Sequence, residues 1–194
     1  MSKLAFLIFV SCVLLATFSF SKTGSAETKV SGDTETAILA GGCFWCMEHP
    51  YEDLPGVSKV ISGYTGGKKK KPTYKEVASG STLHVEAVEV HFDPAKISYS
   101  DILEIFWRNI DPTDAGGQFV DRGKQYTTGI FYKNKQQKQV AQASKKSIEG
   151  SKRFSKKIIT KIVKAGAFYR AEEYHQDFFK KNYIHYRVYR AGSG

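Results

Sequence analysis

Cys43 and Cys46 stand three residues apart behind Gly41-Gly42, with Phe44 and Trp45 between them. Thiols at this spacing can act as nucleophiles, close a disulfide or bind a metal, and their surroundings decide which. The glycines allow a sharp turn out of the apolar run Thr36–Ala40. A helix starting at Cys43 would set its sulfur among unpaired N–H groups at the positive end of a helix dipole. That position favours a thiolate and therefore a nucleophile. Two aromatic rings directly after the sulfur suit an apolar, uncharged substrate group rather than a phosphate or a sugar. The alternative is a cysteine that only fills the core.

Glu86 is the second residue with chemistry in it. Leu83 to Phe92 alternates as a strand and puts Glu86 on one face with Val88, Val90 and Phe92. If that face is buried, desolvation raises the carboxyl pKa and makes Glu86 a proton donor near neutral pH. On an edge strand, or with the face reversed, it is solvated, and periodicity alone leaves both readings open. Cys43, Cys46 and His49 could begin a zinc site, but the fourth ligand would have to come from His84 or His91 by chance. No metal or cofactor is therefore expected. His175 near Asp177 could suggest a base, yet the pair reads as structural.

The elements that must hold these residues follow from periodicity and breakers. Strands are expected at 36–40, 57–64, 83–92, 126–132 and 158–163. A helix runs from Cys43 to about Asp53, short or kinked because Pro50 cannot bond the Cys46 carbonyl, and Leu54-Pro55-Gly56 stops it. A short helix is expected at 73–78. Ser98-Tyr99-Ser100-Asp101 resembles a capping box for a helix carrying Ile102, Ile105, Phe106 and Ile110. Further helices cover 135–148 and 171–180. Helices interleaved with strands imply a sheet with helices packed on it, and the missing long helix between 57–64 and 83–92 implies mixed strand pairing. The expected fold class is α+β, a two-layer α/β sandwich with a mixed sheet in a single domain.

The ends and the charge bound the function. Met1-Ser2-Lys3, the apolar stretch Leu4–Phe20 and the small residues up to Ala26 have the layout of a secretory signal peptide, cleaved after Ser21 or Ala26. The stretch is near the short limit for a spanning helix, so an uncleaved membrane anchor is the lesser alternative. Residues 27–35 read as a flexible leader and 36–194 as the catalytic domain. Cleavage removes Cys12 and leaves only Cys43 and Cys46, which argues for a redox-active pair and against a disulfide framework. The chain carries 29 Lys+Arg against 19 Asp+Glu, a formal net charge of +10. The positive residues are scattered, and the run Lys68–Lys71 reads as a solvated loop, so no nucleic-acid partner is expected. Export to the periplasm or the medium is expected.

Seven segments recur in this order in one family: Gly42-Cys43-Phe44-Trp45, Gly63-Tyr64-Thr65-Gly66-Gly67, Pro72-Thr73-Tyr74, His84-Val85-Glu86-Ala87-Val88, Asp111-Pro112-Thr113, Asp121-Arg122-Gly123-Lys124-Gln125-Tyr126 and Ala171-Glu172-Glu173-Tyr174-His175-Gln176-Asp177. From residue 36 to about 186 the chain resembles the A-class peptide methionine sulfoxide reductases. The resemblance implies reduction of methionine S-sulfoxide in oxidised proteins and peptides, and of free methionine S-sulfoxide, by a thioredoxin-like thiol reductant. It makes Cys43 the nucleophile, Glu86 the acid for the sulfoxide oxygen, Tyr74 and Tyr126 donors to that oxygen, and Asp121 a polar orienting group. Phe44 and Trp45 form the apolar wall for the methyl group. Many members carry glycine at the position of Cys46 and resolving cysteines near the C-terminus; this chain has no cysteine after Cys46. Either Cys46 resolves a Cys43 sulfenic acid, the favoured reading, or an external thiol reduces it directly. A thioredoxin-like disulfide oxidoreductase using Cys43-x-x-Cys46 is the competing function, and it would not need Glu86, Tyr74 or Tyr126. A monomer is expected.

Overall fold

The computed structural model describes residues 34–192. The expected signal segment 1–26, and the leader 27–35 except its last two positions, lie outside the described residues. Strand β1 (Glu35–Ala40) is the apolar run ahead of the paired glycines. It lies inside a six-stranded sheet, antiparallel on one side to β3 (Val85–Phe92) and on the other to β6 (Gly129–Tyr132). β2 (Val57–Thr65) pairs antiparallel with β3, and β8 (Tyr169–Arg170) closes that edge. β7 (Lys161–Lys164) closes the other edge and pairs with β6 in parallel. The order is β7-β6-β1-β3-β2-β8. One parallel pair in an otherwise antiparallel sheet makes the mixed sheet expected from the sequence.

Strand alternation divides the core in two. Ala37, Leu39, Val88, Val90 and Phe92 face the layer made by α1 (Phe44–Glu52), α3 (Tyr99–Arg108) and α4 (Lys135–Gly150). Ile38, Ala40, Ala87 and Phe131 face the other way, under Ala165 and Phe168 of the 165–168 loop. The result is a two-layer α/β sandwich. α3 has the capping box read from the sequence, with Ser98 and Asp101 bonding each other's backbone N–H, and buries Ile102, Leu103, Phe106 and Trp107. α2 (Tyr74–Ala78) opens on a second capping box, Thr73 with Glu76.

Four expectations shift. Cys43 is the N-cap of α1 rather than a residue of its first turn, while the helix is short and ends at Glu52 with Asp53 as its C-cap, as expected. The segment 126–132 splits into a 3₁₀ turn, Lys124–Tyr126, and β6, because Tyr126 and Thr127 bond back to Gly123 and Lys124 instead of to a neighbouring strand. At 158–163 the sheet is joined only from Lys161, since the Ile159 N–H is taken by the Pro112 carbonyl. The helix expected at 171–180 becomes a 3₁₀ turn, Glu173–His175, and a short α5 (Phe178–Lys181). Asp177 has φ +53 there and the Gln176 side chain bonds the Ser62 backbone on both its groups, which breaks helical continuity. The terminal helix α6 (Tyr183–Gly192) was not anticipated.

Candidate active site

Cys43 stands where β1 turns into α1. Gly42 makes the turn with φ +93, and a Cβ there would meet the Gln118 side chain at 2.7 Å. Gln118 belongs to a small hairpin, β4 (Gly117–Gln118) and β5 (Asp121–Arg122), which its side chain ties to the Asp111 backbone. The Cys43 carbonyl accepts the N–H groups of Cys46 and Met47 at 3.1 and 3.2 Å and starts the helix. The next N–H, on Phe44, donates to Glu86 Oε2 at 3.1 Å. Glu86 thus lies on the buried face of β3, 1% exposed, with its carboxyl on the helix start that presents the sulfur. Of the two placements the sequence left open, the buried one holds.

Burial pushes the Glu86 carboxyl up to about 8, against the opposing pull of the Phe44 N–H and with added repulsion from Asp121 and Cys46. It therefore stays protonated at neutral pH. Cys43 is 8% exposed and is a thiol, as is Cys46. Burial raises its pKa well above the ordinary thiol value, helped by a hydrogen bond shared with Cys46 and by the field of Glu86, while the Tyr189 hydroxyl donates to the sulfur and works the other way. The expected resting thiolate is corrected here. The Phe44 N–H at the helix start is spent on Glu86, and desolvation outweighs the dipole.

Tyr74, Tyr126 and Asp121 converge on the same spot. Tyr74 opens α2, where its N–H donates to Glu172 Oε1 at 2.8 Å. Tyr126 ends the 3₁₀ turn, which Gln125 fixes by donating to the Ala78 carbonyl at the far end of α2. Both phenols are raised, first by burial and then by the fields of Glu86, Cys43 and Asp121, so both remain proton donors. The Asp121 carboxyl is raised by burial and accepts from the Tyr189 hydroxyl. One hydroxyl hydrogen on Tyr189 thus faces two acceptors, the Cys43 sulfur and the Asp121 carboxylate.

The apolar side of the site is aromatic. Phe44 is buried against Tyr64 and His175, while Trp45 is half-buried, stacked on Phe178 with 3.6 Å between ring centroids and met edge-on by Tyr189. The Trp45 indole N–H donates to His175 Nδ1 at 3.1 Å. His175 also packs on Tyr74, and burial lowers its pKa to about 4, so it is a neutral ring carrying its hydrogen on Nε2. His175 is thus a packing and positioning group beside the site rather than a charged base, whereas Asp177 lies off the site and donates its N–H to Glu48. Glu172, which also accepts from the Tyr64 hydroxyl, was missed although it sits in the same motif as His175. Tyr186 and Tyr189 were missed because α6 was. His49 lies against Phe179 and Tyr186, and among the described residues the cluster with metal-like spacing is Glu48, Glu52 and Asp177, not Cys43, Cys46 and His49. Lys68–Lys71 are exposed.

A buried thiol, a protonated carboxylic acid, two phenols and an aromatic wall can together reduce a polar X=O bond whose other substituent is apolar. The family model described as peptide methionine sulfoxide reductase matches residues 35–194. The peptide methionine sulfoxide reductase MsrA of Listeria innocua is 56% identical over 160 residues, covering 82% of this chain and 90% of the relative. That of Bacillus subtilis is 54% identical over 165 residues, with 85% and 93% covered. Among solved structures, reduced Mxr1 from Saccharomyces cerevisiae has a TM-score of 0.72 at 31% identity, covering 77% of this chain and 86% of that one. Methionine sulfoxide reductase A of Corynebacterium diphtheriae gives 0.70 at 31%, with 79% and 77% covered.

Proposed function

The chain belongs to the peptide methionine sulfoxide reductase family, and from that premise we propose that it reduces methionine S-sulfoxide in proteins with Cys43 as the nucleophile and Glu86 as the acid. The observation that carries this is the buried, protonated Glu86 carboxyl held on the Phe44 N–H beside the Cys43 sulfur. The sulfoxide oxygen points to Glu86, Tyr74 and Tyr126, the methyl group to Trp45 and Phe44, and Asp121 orients the substrate. The Cys43 sulfur attacks the sulfoxide sulfur while Glu86 protonates the oxygen, a poor leaving group until then. In sum the sulfoxide S–O bond breaks, methionine is released, and the oxygen ends as the hydroxyl of a Cys43 sulfenic acid. The Cys46 thiol then condenses with it, expelling water and closing a Cys43–Cys46 disulfide. An external dithiol returns two electrons. A thioredoxin-type donor is supported by Mxr1, a family structure of which is a complex with Trx2.

Mass spectrometry after one turnover without reductant tests the scheme. One epimer should be consumed, with loss of two hydrogens from the protein; turnover of both epimers alike, or turnover surviving Cys43→Ser, overturns it. Charges close to the pocket should make free methionine sulfoxide a poorer substrate than the peptide form. A disulfide oxidoreductase would be indifferent to Glu86→Gln. Export rests on the charged start and the run Leu4–Phe20, and a mature N-terminus at Lys22 or Glu27 in the periplasm or the medium would bear it out. A monomer is expected, and sedimentation at assay concentration tests that.

A further inference from the structure

α5 and α6 dock on α1 through Phe178 and Phe179 of the first and Tyr186 of the second, which pack with Trp45 and Cys46. Between α1 and α6 lies a cavity of about 590 Å³, within the range of small-molecule sites. Cys46 borders it and Cys43 does not. The charged side chains on its wall are Arg187 and Arg190, one turn apart on α6, with His49 opposite on α1; no carboxylate side chain borders it among the described residues. Of the two cysteines among the described residues, only Cys46 therefore opens onto a cationic cavity. Guanidinium groups hold carboxylates through paired hydrogen bonds. Neither the sulfoxide nor its peptide needs such a place, because their site lies on the Cys43 side.

We propose that this cavity seats a small thiol bearing carboxylates, of the glutathione kind, which reduces the enzyme through Cys46. The proposal rests on the reading that Cys46 resolves the sulfenic acid. The bound thiolate attacks the Cys46 sulfur, the Cys43–Cys46 bond breaks, and Cys43 leaves and takes a proton. A second thiol then attacks the ligand sulfur of the Cys46 mixed disulfide, freeing Cys46 and releasing the ligand disulfide. Two ligand thiols are oxidised and one protein disulfide is reduced. Access selects the sulfur: Cys43 is 8% exposed, whereas Cys46 meets the cavity.

The test starts from full-length enzyme oxidised by one equivalent of peptide sulfoxide. Thiols are counted, and disulfide reduction is then followed with glutathione, glutathione diethyl ester and dithiothreitol. Wild type should prefer glutathione over its ester, and Arg187→Gln with Arg190→Gln should lower the ratio of glutathione rate to dithiothreitol rate about tenfold at low salt, less at high salt. The trapped adduct should be on Cys46. An intact disulfide with no preference for the charged thiol in wild type, or an adduct on Cys43, overturns the cavity assignment and leaves resolution by Cys46 standing. A Cys46 that can still be alkylated after turnover overturns both.

Discussion

Replacing Glu86 by glutamine should make the protein more stable at pH 7.5 and less stable at pH 5, while disabling it. The Glu86 carboxyl is raised from 4.5 to about 8 in the folded chain. Between those values the folded protein keeps a proton that the unfolded chain releases. Stability therefore falls as pH rises, by about 1.4 kcal/mol per pH unit, fully present below 4.5 and lost by about 8. At pH 7.5 the window crossed is about three units, or about 4 kcal/mol. Glutamine keeps the oxygen that accepts from Phe44 but adds a buried amide N–H₂ that must find partners, a cost of about 1–3 kcal/mol. The variant should thus gain about 1–3 kcal/mol at pH 7.5 and lose at pH 5. Urea unfolding from pH 5 to 8.5 gives both curves, and the difference in slope is the decisive quantity. Glu48, raised to about 7 by burial, contributes a similar slope that both proteins retain. Single-turnover reduction should fall by about 10²–10⁴ in the variant, and in wild type should decline above pH 8. Parallel stability curves would show that Glu86 is ionised at neutral pH and cannot be the acid.

Cys46→Ser should leave the first sulfoxide reduction intact and slow thiol-dependent recycling, with a trappable sulfenic acid on Cys43; a normal steady-state rate would remove Cys46 from the cycle. Tyr189→Phe deletes the hydroxyl shared by Cys43 and Asp121 and should push the Cys43 thiol higher, slowing the chemical step about tenfold near neutral pH. A single-turnover pH profile identical to wild type would make Tyr189 packing only. Gly42→Ala forces a Cβ to 2.7 Å from Gln118 at φ +93 and should lower stability by about 1–3 kcal/mol in urea melts; an unchanged midpoint would mean the turn relaxes freely.

Local pattern carried much of this protein. The apolar run before two glycines, the alternation that set Glu86 beside Val88 and Phe92, and the Ser98–Asp101 box are local consequences of backbone geometry, so they were legible in the residues themselves. So were the ordered motifs that named Cys43, Glu86, Tyr74, Tyr126 and Asp121. Which face of β3 is buried was not, because alternation fixes a shared face and not its direction; the α1 and α3 layer decided it. The state of the Cys43 thiol was misjudged for a similar reason. A helix start argues for a thiolate from sequence, but desolvation and the capture of the Phe44 N–H by a carboxyl 42 residues away depend on tertiary packing. His175 and Tyr189 came to the site only because Asp177 breaks the helix and α6 folds back on α1, and no local periodicity encodes where a terminal helix docks. The same docking makes the cationic cavity at Cys46: the sequence supplied the arginines, and the contact between two helices put them beside a sulfur.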